Sequence, residues 1–391
     1  MCIRDSCYSS KGFKGDENGE NTYLLGFIMF YYFYDLFVNS LGFLNILQYI
    51  TLRSALAGIS SFFIIIFFTP KFINYMNKKN FSENISSYLT QHEGKKGTPN
   101  MGGIVIGFSI LISSILYGNF ENKNFLLVLG AYILFAFSGF IDDLIKLRKG
   151  KGLSISKKIF MQISITLLLI LFFILKIEGF SYSDSFFSNT FISLPFTKEL
   201  FDLGLFYYVL CFLIILGSAN AVNLTDGLDG LATGSLLSTV GAIFLLTYIA
   251  GNSIYTNYLY LPYIKDVGEI SILLSAILGS LLGFLWFNSN PAQIFMGDVG
   301  SIPLGATIGL VSIIIKQEVL LLISGGIFVI EAVSVIIQII SFRLYNTRIL
   351  KMAPLHHHFE KMGYSESKIV IRFWILSIIL ALITIASLKI R

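Results

Sequence analysis

The sequence predicts an all-α polytopic membrane protein of about ten transmembrane helices, and three observations predict it. Of its 391 residues, 55% are hydrophobic and only 13% charged. The mean hydropathy of +0.75 exceeds what a soluble domain can hide in one core. Apolar runs of about 20 residues, the length that crosses a bilayer, recur from residue 52 to the C-terminus with brief polar interruptions. Residues 29–391 therefore read as a single integral-membrane domain.

Residues 1–28 begin MCIRDSCYSSKGFKGDENGEN, polar and glycine-bearing, without the order of charged and apolar regions that marks a signal peptide. They are set aside as a non-native or disordered leader. Met29 opens MFYYFYDLFVNSLGFLNILQYI, whose aromatic residues and isolated Asp35 suit an interfacial helix and mark the expected native start. Ten spans follow, at 52–69, 101–118, 124–141, 159–177, 201–219, 231–249, 269–287, 301–315, 319–342 and 369–388. Ten spans put both ends on one side. The loops 70–100, 142–158 and 343–368 hold most of the basic residues, among them Lys96, Lys146, Lys158, Arg343 and Arg348, and all three fall on the same side. The positive-inside rule makes that side cytoplasmic and both termini periplasmic. The net charge of +5 is thereby a topology signal, and no nucleic-acid partner is read from it. The periplasmic stretch 178–200 is expected to hold a short hairpin. Cys2, Cys7 and Cys211 show neither metal-ligand spacing nor a disulfide framework, which argues against redox chemistry.

Five polar clusters stand at span ends or in short loops: KKGTPNMGG (95–103), FIDDLIK (140–146), NAVNLTDGLDG (220–230), NPAQIFMGDVGS (290–301) and APLHHHFE (353–360). All five are cytoplasmic on this topology. Independent decorations would scatter between the two faces, so the coincidence predicts one cytoplasmic-facing active-site cleft.

Carboxylates at a membrane boundary are costly to desolvate and tend to be functional or paired; this set holds Asp142, Asp143, Asp226, Asp229 and Asp298. Several carboxylates without cysteine suit a hard cation. Mg²⁺ takes one or two carboxylates and completes its octahedron with water and substrate phosphate oxygens, which points to phosphoryl transfer on a diphosphate. Asp298, between Gly297 and Gly300 in a turn that lets backbone and ligand approach closely, is the sharpest metal ligand, with Asp226 the second. Asp142 and Asp143 are adjacent and point about 100° apart on a helix, so Asp142 is assigned to catalysis and Asp143 to its support. Asn220, Asn223 and Asp226 recur at i, i+3 on one helical stripe and can read a polar head group. Lys96, Lys146 and Lys158 can neutralise phosphate charge, with Thr98 and Asp229 as further substrate contacts. His356, His357 and His358 can donate to a phosphate or act as a base. His356 is grouped with the catalytic residues, and His357 and His358 with the substrate contacts.

Each feature also has a bland reading. Asp142 and Asp143 followed by lysines fit a solvated loop end with surface ion pairs. NLTDGLDG fits a helix cap and turn, and GDVGS alone is a weak Gly-rich signal with no P-loop pattern near it. The three adjacent histidines lack the i, i+4 spacing of a helical metal pair. Glu331, inside the ninth span, fits a helix–helix hydrogen-bond partner as well as a site residue. Taken together the signals outweigh these readings.

Jointly the motifs resemble those of the phospho-N-acetylmuramoyl-pentapeptide-transferase family, within the polyprenyl-phosphate N-acetylhexosamine-1-phosphate transferases. The resemblance runs from about Met29 to Arg391 and rests on GTPNMGG (97–103), GFIDD (139–143), NAVNLTDGLDGLA (220–232), GFLWFN (283–288), PAQIFMGDVGS (291–301), MAPLHHHFEKMGY (352–364) and IVIRFWI (369–375). It implies Mg²⁺ dependence, UDP-MurNAc-pentapeptide as donor, undecaprenyl phosphate as acceptor, and lipid I and UMP as products. It also implies a bacterial inner-membrane location and pairing as a homodimer. On it Asp298 falls on the family's Mg²⁺ ligand, Asp142 and Asp143 on its paired aspartates, and Asn223 and Asp226 on its nucleotide-side polar residues. Lys96 and His356 fall on further functional positions. Asn100 departs from the family's TPTMGG pattern, which puts the local geometry there in question.

Two rivals stand. A sister transferase using UDP-GlcNAc shares the acidic motifs but carries a differently spaced histidine motif. A secondary transporter also uses intramembrane acids and Gly-interrupted helices, but here the polar residues gather at one face rather than at the midplane. Asp142 is open between a general base and a covalent nucleophile.

Overall fold

The computed structural model describes residues 46–79, 97–150, 152–174, 190–195 and 200–389. The leader, most of the interfacial segment expected from Met29, and Lys96 lie outside the described residues. In hydrocarbon every backbone N–H and C=O must be satisfied within the segment, and the apolar runs accordingly fold as helices. They are α1 (Ile50–Lys78), α2 (Gly103–Tyr117), α3 (Lys123–Lys149), α4 (Ile155–Ile174), α5 (Phe206–Thr225), α6 (Leu231–Ala250) and the short α7 (Ser253–Leu259). A 3₁₀ turn (Val267–Glu269) leads into α8 (Ile270–Asn288), followed by α9 (Asp298–Ile314), α10 (Glu318–Ser324), α11 (Gly326–Tyr345), α12 (Leu355–Lys361) and α13 (Glu366–Ser387). The expected hairpin is present, as β1 (Phe191–Ser193) paired antiparallel with β2 (Leu200–Asp202).

All ten expected spans have an apolar helix, and the protein is a multi-pass membrane protein. Eight of the helices are long and apolar enough to cross a membrane, among the described residues. The other two, α2 with 15 residues and α9 with 17, are shorter apolar helices. At a rise of about 1.5 Å per residue, α9 extends roughly 25 Å. It is shielded from lipid: all of its residues are buried. The ninth expected span, 319–342, is not one helix. It divides into α10 and α11 at Gly325 (φ −90°, ψ 17°), within a Gly-Gly pair that a hydropathy window reads as uninterrupted.

The helix order sorts the polar residues into two ends. At one end lie the C-termini of α3, α5 and α8, the N-terminus of α9, and α12. At the other, Arg53 of α1 donates twice to Glu269, at 2.7 and 2.9 Å, and once to Tyr117 O at 3.2 Å, joining α1, α2 and the start of α8. Also at that end Lys316 donates to Tyr207 Oη, which donates to Glu318 Oε1, both at 2.7 Å, pinning the α9–α10 turn to α5.

Candidate active site

The first turn of α9 is held by backbone from three motifs. Gly102 and Gly103 donate their N–H groups to Phe295 O and Met296 O, both at 2.8 Å, and Phe295 N–H donates to Pro99 O at 2.9 Å, so the loops 97–103 and 293–297 are zipped together. A Cβ on Gly103 would overlap Gly300 N, which lets α2 lie against the start of α9. Gly297 precedes Asp298 at φ +75°, a conformation that side chains other than glycine's rarely adopt. A Cβ there would also crowd Asp143 Oδ2 at 2.8 Å. Thr98 is half-buried beside this zipper. Asn100, the departure from the family pattern, accepts the Met101 N–H through Oδ1 at 2.7 Å and so supports the left-handed Met101 (φ 69°).

Against this turn the cluster assembles. Asp142, Asp143 and Asp298, all buried, each offer a carboxylate oxygen within 4.8 Å of the others. Lys146, one turn along α3, sits among them: its Nζ is 3.3 Å from Asp142 Oδ2, 3.3 Å from Asp143 Oδ1 and 3.1 Å from Asp298 Oδ2. Lys158, at the start of α4, pairs closely with Asp298 Oδ2 and lies 3.8 Å from Asp142 Oδ2. The remaining carboxylate oxygens brace the backbone: Asp143 Oδ2 accepts Val299 N–H at 2.9 Å, and Asp142 Oδ1 accepts Leu153 N–H at 2.6 Å. From α5, the Asn223 amide is oriented by its partners. Its nitrogen donates to Asp298 Oδ1 and Ser301 Oγ, both at 2.9 Å, and its oxygen accepts from Lys158 Nζ at 3.1 Å. Three carboxylates thus face two ammonium groups, an acid-rich set that a cation can join. An all-carboxylate donor set, with no sulfur and no imidazole, fits a hard divalent ion.

The other expected residues are distributed as follows. Asp226 follows α5 at its C-terminal cap (φ −78°, ψ 50°) and is not one of the clustered carboxylates. The tight grouping is that of Asp298 with Asp142 and Asp143, and Asn223 is the α5 residue that bonds Asp298, while Asp226 as a second metal ligand stays an expectation. Asn220, on the same expected stripe, donates to Gln162 Oε1 of α4 at 2.7 Å. Asp229 Oδ2 accepts from Asn290 Nδ2 at 3.1 Å and Ala292 N at 3.0 Å, and its own N–H donates to Glu366 at 2.8 Å, which ties the 226–230 turn to the 290–292 turn and to α13.

The rings of His356 and His357 touch, with centroids 4.2 Å apart, yet each of the three histidines of α12 meets a different polar partner. His356 contacts Glu331, with Nδ1 3.1 Å from Oε2. His357 Nδ1 lies 2.6 Å from Glu360 Oε2, and His358 Nδ1 accepts Lys351 N–H at 3.1 Å. Sequence reasoning assigned no role to Ser301 or Val299. A hydroxyl three residues after the clustered Asp298, at the helix start, is the signal that marks Ser301.

The chain is similar to a family model and to several named proteins. A family model described as glycosyl transferase family 4 matches residues 125–316, the stretch that carries Asp142, Asp143, Lys146, Lys158, Asn223 and Asp298. A phospho-N-acetylmuramoyl-pentapeptide-transferase of Leptospira biflexa is 45% identical over 370 residues, covering 93% of this chain and 100% of the relative. The enzymes of the same name from Desulfotalea psychrophila (44% over 369 residues, 93% and 100%) and Rickettsia felis (45% over 353 residues, 89% and 96%) match as extensively. With identity of this level from end to end of the relatives, the chain belongs to the phospho-N-acetylmuramoyl-pentapeptide-transferase family.

Proposed function

We propose that this chain transfers phospho-MurNAc-pentapeptide from UDP-MurNAc-pentapeptide to undecaprenyl phosphate, giving lipid I and UMP, with Mg²⁺, at the cytoplasmic face of the bacterial inner membrane. The observation that carries this reading is the buried cluster of Asp142, Asp143 and Asp298 with Lys146 and Lys158, set at one end of a membrane bundle. Phosphoryl transfer needs charge neutralisation and alignment more than covalent chemistry. A lipid phosphate acceptor needs both at the membrane surface. The basic loops flanking the same end support a cytoplasmic orientation.

In the transfer, an oxygen of the acceptor phosphate attacks the β-phosphorus of the donor, the bond from that phosphorus to the bridging oxygen breaks, and UMP leaves with the electron pair. Asp298, with Asp143 beside it, would hold Mg²⁺, which would supply charge stabilisation of the diphosphate and of the departing UMP. Lys146 and Lys158 exchange their carboxylate contacts for phosphate oxygens as the substrates enter. Asn223 keeps Asp298 oriented through its amide. Asp142 Oδ2, facing both lysines, takes the acceptor's proton, while Oδ1 stays anchored on Leu153 N–H.

The test is UMP release by detergent-purified protein given both substrates, with each substrate and Mg²⁺ omitted in turn. Release that requires all three supports the reading. Release with UDP-GlcNAc but not with UDP-MurNAc-pentapeptide would assign the sister activity. Trapping of a phosphorylated Asp142 would overturn its role as base.

A further inference from the structure

Outside the aspartate cluster, one buried carboxylate has a use that the proposed mechanism leaves unassigned. Glu331 is fully buried in α11 and His356 is 1% exposed in α12. Both oxygens of Glu331 serve this one residue: Oε1 accepts the His356 backbone N–H at 3.2 Å and Oε2 meets His356 Nδ1 at 3.1 Å. A carboxylate inside an apolar span is costly, and among the described residues its bonds go to no second membrane span. Its side chain is spent on a ring of the short helix α12, at the same end of the bundle as the aspartate cluster.

The far side of that ring is the informative one. His356 Nε2 is buried and has no hydrogen-bond partner among the described residues. It faces Gly227, where a Cβ would overlap it. Gly227 stands next to Asp226 and four residues after Asn223, whose amide bonds Asp298. Buried polar atoms are nearly always partnered, and an orphan in a native site calls for a ligand or a functional role. A ring nitrogen is set by the bond the other nitrogen makes.

We infer that Glu331 is a positioning residue for the transfer, acting through His356. With Nδ1–H donated to Oε2, Nε2 is turned toward the 225–229 turn as an acceptor for an O–H or N–H group of the nucleotide-sugar donor. The inference rests on the transferase reading above. Glu331→Gln keeps the volume but replaces one acceptor with an NH₂ group, so the two His356 donors no longer both find oxygen and the competing tautomer is favoured. A wrong-tautomer substitution of this kind lowers turnover without loss of geometry.

The test is a double-mutant cycle on UMP release, with thermal unfolding as the control for folding. Glu331→Gln is expected to lower kcat on the order of 10²-fold, with the donor KM within about threefold of wild type and the unfolding midpoint little changed. In a His356→Ala background the same change is expected to cost nothing further, since residues acting as a unit are non-additive. Glu331→Asp is expected to recover part of the loss. Wild-type kcat in Glu331→Gln, or a full further loss in the His356→Ala background, would overturn the inference. A wild-type protein inactive on both substrates would sink the transferase reading instead. The pair is then read on stability: His356→Ala strands a buried carboxylate and lowers the unfolding midpoint, and Glu331→Gln added to it restores the midpoint. Additive losses there would also overturn the inference.

Discussion

Asp143 reaches across from α3 to cap the helix that begins at Asp298: its Oδ2 accepts the Val299 N–H at 2.9 Å while its Oδ1 lies 3.3 Å from Lys146 Nζ. The first N–H groups of a helix have no partner within it, and this one is met by a neighbouring helix instead of by a residue of its own chain segment. Asp143→Ala is expected to lower stability by about 1–2 kcal/mol, the cost of a lost cap and a stranded buried donor, and to lower turnover because the start of α9 is released. Asp143→Asn keeps an acceptor oxygen, so it is expected to keep most of the stability while losing the charge. Unfolding of the two variants in detergent checks this. An Ala variant as stable as wild type would remove the cap from the account.

Lys146 touches all three clustered carboxylates, so it carries much of the charge compensation when no cation is bound. Lys146→Met leaves three carboxylates with Lys158 alone. Binding to the folded state stabilises by an amount that grows with ligand concentration over Kd, about 2.7 kcal/mol at a hundredfold excess. Mg²⁺ is therefore expected to raise the unfolding midpoint more in Lys146→Met than in wild type, and not at all in Asp298→Asn. A midpoint indifferent to Mg²⁺ in all three proteins would place the ion elsewhere.

The contact of Gly103 with Gly300 has no room for a methyl group, and the three atoms it would displace, Gly300 N and Cα and Val299 C, all belong to backbone. Gly103→Ala is expected to cost about 1–3 kcal/mol through overpacking. It is also expected to lower kcat more than any alanine substitution on a lipid-facing helix surface, because the shift is transmitted to Asp298. Unchanged turnover in a folded Gly103→Ala protein would show that the helix start tolerates displacement.

What the sequence made legible follows from where desolvation acts. Apolar runs must be helices in lipid, so the ten spans were readable, and acids at their ends stood out because few such residues are tolerated there. Three things were not readable. The break at Gly325 lies in an apolar run whose hydropathy does not change. Asn220 and Asn223 share a stripe, yet they meet Gln162 and Asp298, partners distant in sequence that periodicity cannot supply. Asp226 was read on the same helical stripe, but the helix ends one residue before it, and spacing does not carry past that end. The histidines were visible as a group and invisible as individuals. Adjacent residues on a helix point about 100° apart, so each found its own partner.

The end opposite the site offers a separate test of what is structural. Arg53 and Glu269 are buried, bonded twice to each other, and joined by no motif of the site. A buried ion pair contributes little net stability over apolar residues of the same size, but removing one partner strands the other at about 3–5 kcal/mol. Arg53→Met is expected to lower the unfolding midpoint sharply while leaving kcat and both KM values of the folded fraction near wild type. Arg53→Met combined with Glu269→Met is expected to recover most of that midpoint, since no charge is left stranded. A double variant as unstable as the single one would mean that the Arg53 bond to Tyr117 O, not the ion pair, holds α1 to α2. A fall in kcat in the folded single variant would mean that the two ends of the bundle are coupled.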